Sequence, residues 1–308
     1  MRGVVYRSTG SWYTVKDPAG KFHQARIKGI FKMDGITSTN PLAVGDAVEI
    51  EEENETGDTG IITAIHPRHN YISRQSPRHK HQHHIIAANI DQSLLFATLK
   101  EPRTSQGFID RFLVAGEMYH VPSVIVFNKS DLYKKKELEK FEAWKAMYEK
   151  IGYQLMMISV MENQGVEELK SLLKDKCSLV SGHSGVGKSS FINLIIPEML
   201  LKTREVSGWS GKGLHTTTFA EMFDLPFGGT LIDTPGLREF GLVDLEKQEL
   251  SHYFPEMRKL INDCRFNNCE HINEPGCAIK EAVEQGRIHE DRYISYCNIH
   301  ASLEQKGY

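Results

Sequence analysis

Apolar and polar positions alternate in short runs over residues 1–65: "GVVYRS", "WYTVKD", "FHQARI", "AVEIEEE" and "GIITAIH". A period of two marks half-buried strands, and Gly, Pro and Asp-Gly signals between the runs supply turns. No helical period competes. Five strands in a small all-β module predict a barrel of the OB type, with a purely structural small barrel as the plainer alternative. The next stretch, 66–84, "HPRHNYISRQSPRHKHQHH", is rich in Arg, Lys and His and poor in apolar residues. It reads as a boundary loop whose irregular histidines suit a solvated linker better than a metal site. Arg68, Arg74, Arg78 and Lys80 in it are candidates for phosphate contacts.

From residue 85 the pattern changes. "IDQSLLFATL", "PSVIVFNKSDL", "YQLMMISV", "CSLVSG" and "GGTLIDTPG" are apolar runs that end in polar loops. Helical segments separate them, among them "FIDRFLVAGEMYH" and a long charged helix near 135–150. Apolar strands alternating with helices predict a parallel sheet covered on both faces, with functional loops at the carboxyl ends of the strands. From about 245 the chain turns helical and polar around a group of cysteines. The expected architecture is multidomain α/β. An OB-type barrel occupies 1–68, a parallel-sheet nucleotide domain 69–245 and a helical metal-binding segment 246–308.

Composition changes this picture little. At 308 residues, with 40% hydrophobic and 25% charged residues, the chain is of globular type with room for two or three domains. A net charge of -3 argues against a whole-protein electrostatic grip on nucleic acid and leaves room for a local basic face. No secretory signal and no membrane span are expected. Five cysteines, three of them between 264 and 277, suggest a reducing compartment rather than a disulfide framework.

The chemistry resides in the loops. Gly182, His183, Ser184, Gly185, Val186, Gly187, Lys188 and Ser189 fit G-x-x-x-x-G-K-[ST] between a strand and the helix "SSFINLI" that begins with Ser189 and Ser190. Glycines let backbone N–H groups turn inward on phosphate oxygens, and the helix N-terminus adds its positive end. Lys188 brings a cation to the terminal phosphates, and the Ser189 hydroxyl is placed to ligate magnesium. "DTPG" follows the apolar run "GTLI", so Asp233 is expected near that magnesium and the Gly236 N–H near the last phosphate.

Asn128, Lys129, Ser130 and Asp131 also end an apolar run. The Asp131 carboxylate can accept both the N1–H and the 2-amino proton of guanine, a donor pair that adenine lacks. Lys129 is expected along the ring, and Asn128 is expected to tie the loops together. One unit later, "ISVMEN" offers Ser159 and the Val160 backbone as support for the base. Between the phosphate loop and Asp233 lies "GWSGKGLHTTTFAEMF", whose Thr217, chosen from Thr216, Thr217 and Thr218, is the expected second magnesium ligand. Ras-type enzymes position the attacking water with a glutamine that here is Leu237. His215 is the nearest replacement within the chain, with a group supplied by a partner as the alternative. The assigned catalytic set is His215, Lys188 and Thr217.

Cys264, Cys269, His271 and Cys277 supply three thiolates and an imidazole at short spacing. Soft sulfur with nitrogen in a four-ligand set favours structural zinc with no open position. Metal binding of that kind, about 10–16 kcal/mol in zinc-finger peptides, can stabilise a segment too small for its own core. Cys177 and Cys297 fall outside the pattern.

The motif order is guanine loop, guanine support, phosphate loop, threonine segment, Asp-x-x-Gly. That is the usual GTPase cycle opened at a different point, which close chain ends make possible. With the barrel before it and the cysteine cluster after it, the chain resembles the RsgA (YjeQ/YloQ) family of circularly permuted, ribosome small-subunit GTPases. "ANIDQSLLFATLKEP", "NKSDL", "GHSGVGKSSFIN", "GLHTTT", "DTPGLREFGL" and "CRFNNCEHINEPGCAI" carry the resemblance across essentially the whole chain. Two positions depart from it: Val160 stands where a small Ala is usual, and Leu214 where a basic residue is common.

The resemblance implies a cytoplasmic GTP hydrolase that binds the small (30S) ribosomal subunit and its rRNA, assists late maturation and is stimulated by the subunit. It also implies one structural zinc and magnesium with the GTP. Arg7, Arg26, Lys28 and Lys32 of the barrel are candidate rRNA contacts, for which steep salt dependence is expected. A monomer is expected, since no heptad seam argues for obligate assembly. Two rival readings remain: a nucleotide-gated binding module with negligible turnover, and a tRNA-handling or translation-factor GTPase.

Overall fold

The computed structural model describes residues 1–27, 41–53, 59–75, 83–198, 220–234, 242 and 245–304. The alternating runs of the first 65 residues are strands: β1 (Arg2–Ser8), β2 (Tyr13–Lys16), β3 (Phe22–Ile27), β4 (Ala47–Glu52) and β5 (Thr59–Ile65). They close a barrel in the order β1, β2, β3, β5, β4 and back to β1, with β3 and β5 parallel and the other pairs antiparallel. Val5, Tyr13, Val15, Ala25, Leu42, Val48, Ile50 and Ile62 fill its interior. These are the inward positions of a period of two.

The stretch expected to be a linker contains a strand and runs into a second. β6 (Tyr71–Gln75) and β7 (His83–Ala88) form an antiparallel ribbon of their own. Its foot is fixed to the barrel by a bridge between Val44 and Ala87, where a Cβ on Gly45 would lie 2.1 Å from the Ala88 carbonyl oxygen. Arg68 is not a free phosphate contact. Its guanidinium grips the fully buried Asp46 by two bonds of 2.6 Å and the Pro41 carbonyl at 2.8 Å. Arg78 and Lys80, like Lys28 and Lys32, lie outside the described residues, as does the Arg74 side chain.

The nucleotide domain is a sheet in the order β10 (Gln154–Met157), β9 (Ser123–Phe127), β8 (Gln92–Ala97), β11 (Cys177–Gly182), β13 (Thr230–Asp233) and β12 (Glu221–Asp224). All pairs are parallel except β12 with β13. Every residue of β8 is buried, as expected of a central strand covered on both faces. Leu95, Ala97, Ile125 and Phe127 face one core, against α1 (Gln106–Met118), α2 (Lys135–Ile151) and the C-terminal segment. Leu94, Phe96, Val124 and Val126 face the other, against α3 (Val166–Leu173) and α4 (Lys188–Ile195). α2 buries Phe141, Trp144, Met147 and Tyr148 along one stripe and stops at Gly152, whose φ of 114° suits a residue without Cβ.

A backbone bridge, Arg7 to Glu221, pairs β1 of the barrel with β12 of this sheet. After Asp233 the chain passes to short helical turns at Lys247–Tyr253, Pro255–Arg258 and Ile261–Asp263, then to helices Ala278–Glu284 and Glu290–Glu304. Among the described residues no helix is long and apolar enough to cross a membrane.

Candidate nucleotide site and metal centre

The phosphate loop leaves β11 and enters α4 with glycines at φ 142° (Gly182), 82° (Gly185) and 97° (Gly187). Two of them also fill close approaches. A Cβ on Gly182 would lie 2.3 Å from the Phe96 carbonyl oxygen, and one on Gly187 2.2 Å from Asn128 Nδ2. The Lys188 ammonium donates to the Gly182 and His183 carbonyls at 2.6 and 2.7 Å, which holds it across the loop. Burial lowers its pKa, and the nearby Asp233 carboxylate opposes that shift. Burial raises the Asp233 pKa in turn, with Lys188 as the opposing influence. Asp233 pairs with Val180 across the sheet, so Lys188 and Asp233 flank one mouth. Ser184, Gly185, Ser189 and Ser190 are exposed, Val186 is buried, and the His183 ring lies on Phe108 with centroids 3.7 Å apart.

The guanine and support loops converge on that mouth. Asn128 Nδ2 donates to the Val186 carbonyl at 2.9 Å, and Asn128 Oδ1 accepts from the Val160 N–H at 3.2 Å. One buried amide thereby joins three loops that are separated in sequence. Ser159 Oγ donates to Asp131 Oδ1 at 2.5 Å and accepts from the Glu162 N–H at 3.1 Å. This orients the carboxylate while leaving Asp131 exposed for a ligand. Lys129 takes φ 66°, and its ammonium reaches the Glu101 carbonyl at 2.5 Å.

Thr217, His215, Gly236 and Leu237 lie outside the described residues. Sequence reasoning missed the loop 98–104 and Tyr133. That loop brings Glu101 to Lys129 and sets Pro102 beside Gly185, 3.6 Å from where a Cβ would stand. No chemical motif marks either one; "ATLKEP" belongs to a stretch that carries the family resemblance and leaves a fully buried strand at the same end as the other loops.

At the far end Cys264, Cys269, His271 and Cys277 converge, with their ligand atoms all within 4.8 Å of one another. His271 Nδ1 is 3.6 Å from Cys264 Sγ and 3.4 Å from Cys277 Sγ. Zn–S of about 2.3 Å and Zn–N of about 2.0–2.1 Å imply a tetrahedral S–N edge of about 3.6 Å. The donor set and its spacing therefore fit zinc. Burial pushes the Cys269 thiol up to about 12, so a thiolate there needs a cation beside it. Glu274 staples the ligand loop by accepting from the N–H groups of Glu270, Ile272 and Asn273. Tyr293 and Tyr296 of the last helix donate to the His271 and Glu270 carbonyls at 2.7 and 2.8 Å. Cys177 and Cys297 are half-buried free thiols away from the cluster.

Comparison with known proteins agrees with this geometry along the whole chain. The RsgA N-terminal domain model matches residues 2–62 and the RsgA GTPase model residues 65–243. The chain is 51% identical over 300 residues to the small ribosomal subunit biogenesis GTPase RsgA of Flavobacterium psychrophilum, covering 97% of this chain and 92% of that one. It is 52% identical over 299 residues to the protein of that name from Cytophaga hutchinsonii, with 97% of each covered. The crystal structure of YjeQ from Thermotoga maritima matches with a TM-score of 0.79 at 36% identity over 98% of both chains. The structure of YloQ, described as a circularly permuted GTPase, matches with a TM-score of 0.76 at 29% identity, covering 100% of this chain and 96% of that one. A barrel, a nucleotide sheet whose guanine loop precedes its phosphate loop, and relatives alike over nearly their full length leave one assignment: the chain belongs to the RsgA GTPase family.

Proposed function

We propose that the chain hydrolyses GTP while bound to the small ribosomal subunit and serves that subunit's biogenesis, the role its relatives' names carry. The observation that carries the nucleotide half is Asn128, whose amide joins the guanine-support and phosphate loops. Chain order is then irrelevant to the site, because the three loops meet at one strand end.

In this reading Asp131 accepts the two guanine donors, with Lys129 along the ring and Ser159 and Val160 behind it. Backbone N–H groups of 182–190 cradle the phosphates, and Lys188 neutralises the terminal ones. Ser189, Asp233 and Thr217 would hold magnesium, which would offset charge on the transferred phosphoryl group. Gly236 contacts the last phosphate. A water, positioned by His215 or by a group of the subunit, attacks the γ-phosphorus in line as the bond to the β–γ bridging oxygen breaks, and GDP and phosphate leave. Lys188, already threaded across its loop by two carbonyls, needs only a small swing to follow the charge.

Zinc on Cys264, Cys269, His271 and Cys277 is structural: four protein donors fill the shell and leave no position for substrate. Domain limits of 1–68, 69–245 and 246–308, a monomeric state, a cytoplasmic working place and rRNA as the contacted surface complete the proposal. The test is phosphate release from GTP titrated with purified small subunits. Stimulation that saturates with small subunits, and not with large subunits or tRNA, is expected. Turnover unchanged by any of them refutes the proposal.

A further inference from the structure

Asn128 presents four polar groups to the guanine site, and all four are engaged. Its N–H donates to the Ala97 carbonyl at 2.9 Å, its side chain holds Val186 and Val160, and its carbonyl accepts from the Tyr133 hydroxyl at 2.6 Å. The first three contacts belong to the sheet or to recognised motifs. The fourth comes from a residue outside every motif, two positions after Asp131.

The Tyr133 hydroxyl has a second partner: it accepts from the Leu99 N–H at 3.0 Å. Leu99 lies just beyond β8, at the root of the loop 98–104. That root is closed by Thr98 and Thr104, both fully buried, through bonds of 2.8 and 3.0 Å between them. The tip of the same loop carries the Glu101 carbonyl that holds the Lys129 ammonium, and Pro102 beside Gly185. One buried phenol therefore bonds the peptide that precedes Lys129 and also the loop that receives its side chain. Burial pushes the Tyr133 pKa up to about 12, so the hydroxyl keeps the proton it donates. Lys129 is held at φ 66°, a conformation most residues avoid, and its two tethers are the Asn128 carbonyl before it and Glu101 beyond its side chain.

We infer that Tyr133 is a specificity-determining positioning residue, which sets the angle at which Lys129 and Asp131 meet the guanine base. The inference rests on the proposed guanine role of 128–131. Tyr133 touches no base itself; it acts through the Asn128 carbonyl and the Leu99 loop. Removing its hydroxyl leaves a buried carbonyl and a buried N–H without their partner, and the loop carrying Lys129 loses one of its ties to the loop carrying Glu101.

The test is Tyr133→Phe beside Asp131→Asn, with GDP, inosine diphosphate and xanthosine diphosphate binding measured by fluorescence competition, and kcat measured at saturating GTP. In Tyr133→Phe, GDP affinity falls about tenfold, a change of about 1.4 kcal/mol. The ratio of guanosine to inosine affinity narrows, and kcat at saturating GTP falls by less than the GDP affinity. A merely structural tyrosine lowers the melting temperature and leaves that ratio unchanged, which overturns the inference. Asp131→Asn shifts preference toward xanthosine diphosphate if the guanine reading holds. No such shift refutes that reading, independently of Tyr133. Should Tyr133→Phe fold poorly, amide exchange in the unaltered protein decides. The Leu99 N–H, outside the β8 ladder, exchanges as slowly as the strand if Tyr133 binds it, and exchange at the rate of an exposed loop overturns the inference.

Discussion

Arg292 of the last helix is the most demanding charge in the molecule. Its side chain is 1% exposed and its guanidinium meets Asp110 of α1 at 2.5 Å and Glu256 at 2.7 Å, with Asp110 wholly buried. Tyr148 of α2 donates to the same Asp110 oxygen at 2.7 Å, and the guanidinium lies 4.6 Å from the centre of the Phe254 ring. Arg292→Met removes the one cation between two carboxylates. Breaking a buried pair from one side costs about 3–5 kcal/mol, because the remaining charge stays desolvated. Asp110 is the worse placed, since its second oxygen already has no partner among the described residues. We expect a loss near the upper end of that range, read as a lowered urea midpoint at unchanged m. Proteolysis should then cut first between the nucleotide sheet and the C-terminal segment, because Arg292 joins the two. Adding Asp110→Asn to Arg292→Met should recover about half of the loss, since it removes the orphaned charge. A loss under about 1 kcal/mol for the single variant, or no recovery in the double, would show that water reaches the pair and refute the argument.

Three other outcomes follow from single sites. Gly187→Ala places a Cβ 2.2 Å from Asn128 Nδ2 at φ 97°, so nucleotide affinity should fall at least tenfold, read by GDP titration, with the melting temperature of the barrel unchanged. Cys277→Ala, or a strong chelator acting on the intact protein, should reduce bound zinc from one per chain to none by elemental analysis and melt the helical signal from beyond residue 246 first. The His23 hydrogen bond holds the Asp17 carboxyl below its ordinary value, so that stabilisation is full above the unfolded pKa of about 3.9 and lost as pH falls through the folded one. Asp17→Asn should therefore lower stability at neutral pH, make little difference in acid where the carboxyl is already protonated, and so flatten the acid limb between, measured by urea midpoints across pH.

The parts legible in the sequence are those whose cause is local. Alternation in β1 to β5 reports a barrel wall with one wet face, and the apolar run Leu94–Ala97 in β8 reports a strand buried on both sides. Cysteine spacing reports a donor set because ligand loops are short. The ribbon of β6 and β7 was illegible for the same reason in reverse. Its two strands are short, its flanks are Arg- and His-rich, and the apolar residues it buries, Ile72, Ala87 and Ala88, are too few to set an apolar period. Arg68 resembles its solvated neighbours in sequence, and only the fold brings Asp46, 22 residues away, against it. Tyr133, Asp110 and Arg292 are invisible on the same ground: each owes its role to a partner on another element.

Permutation has a mechanical consequence beyond chain order. The nucleotide sheet ends on β12, the first described strand after the threonine segment, and β12 is also where the barrel attaches. Its Asp224 accepts from the Tyr6 hydroxyl at 2.8 Å and the Lys16 ammonium at 2.6 Å, both from barrel strands. On the other side, Arg292 and the Tyr293 and Tyr296 hydroxyls fasten the metal centre to α1 through the last helix. In a conventional order the chain would begin on β11, the strand before the phosphate loop. Here both added domains grip the sheet at elements next to the nucleotide loops. Displacement of β12 must either carry the barrel with it or break the Asp224 bonds. A γ-phosphate that moved the threonine segment would therefore be felt first at the barrel, through three named side chains, before any long-range change in the sheet was needed.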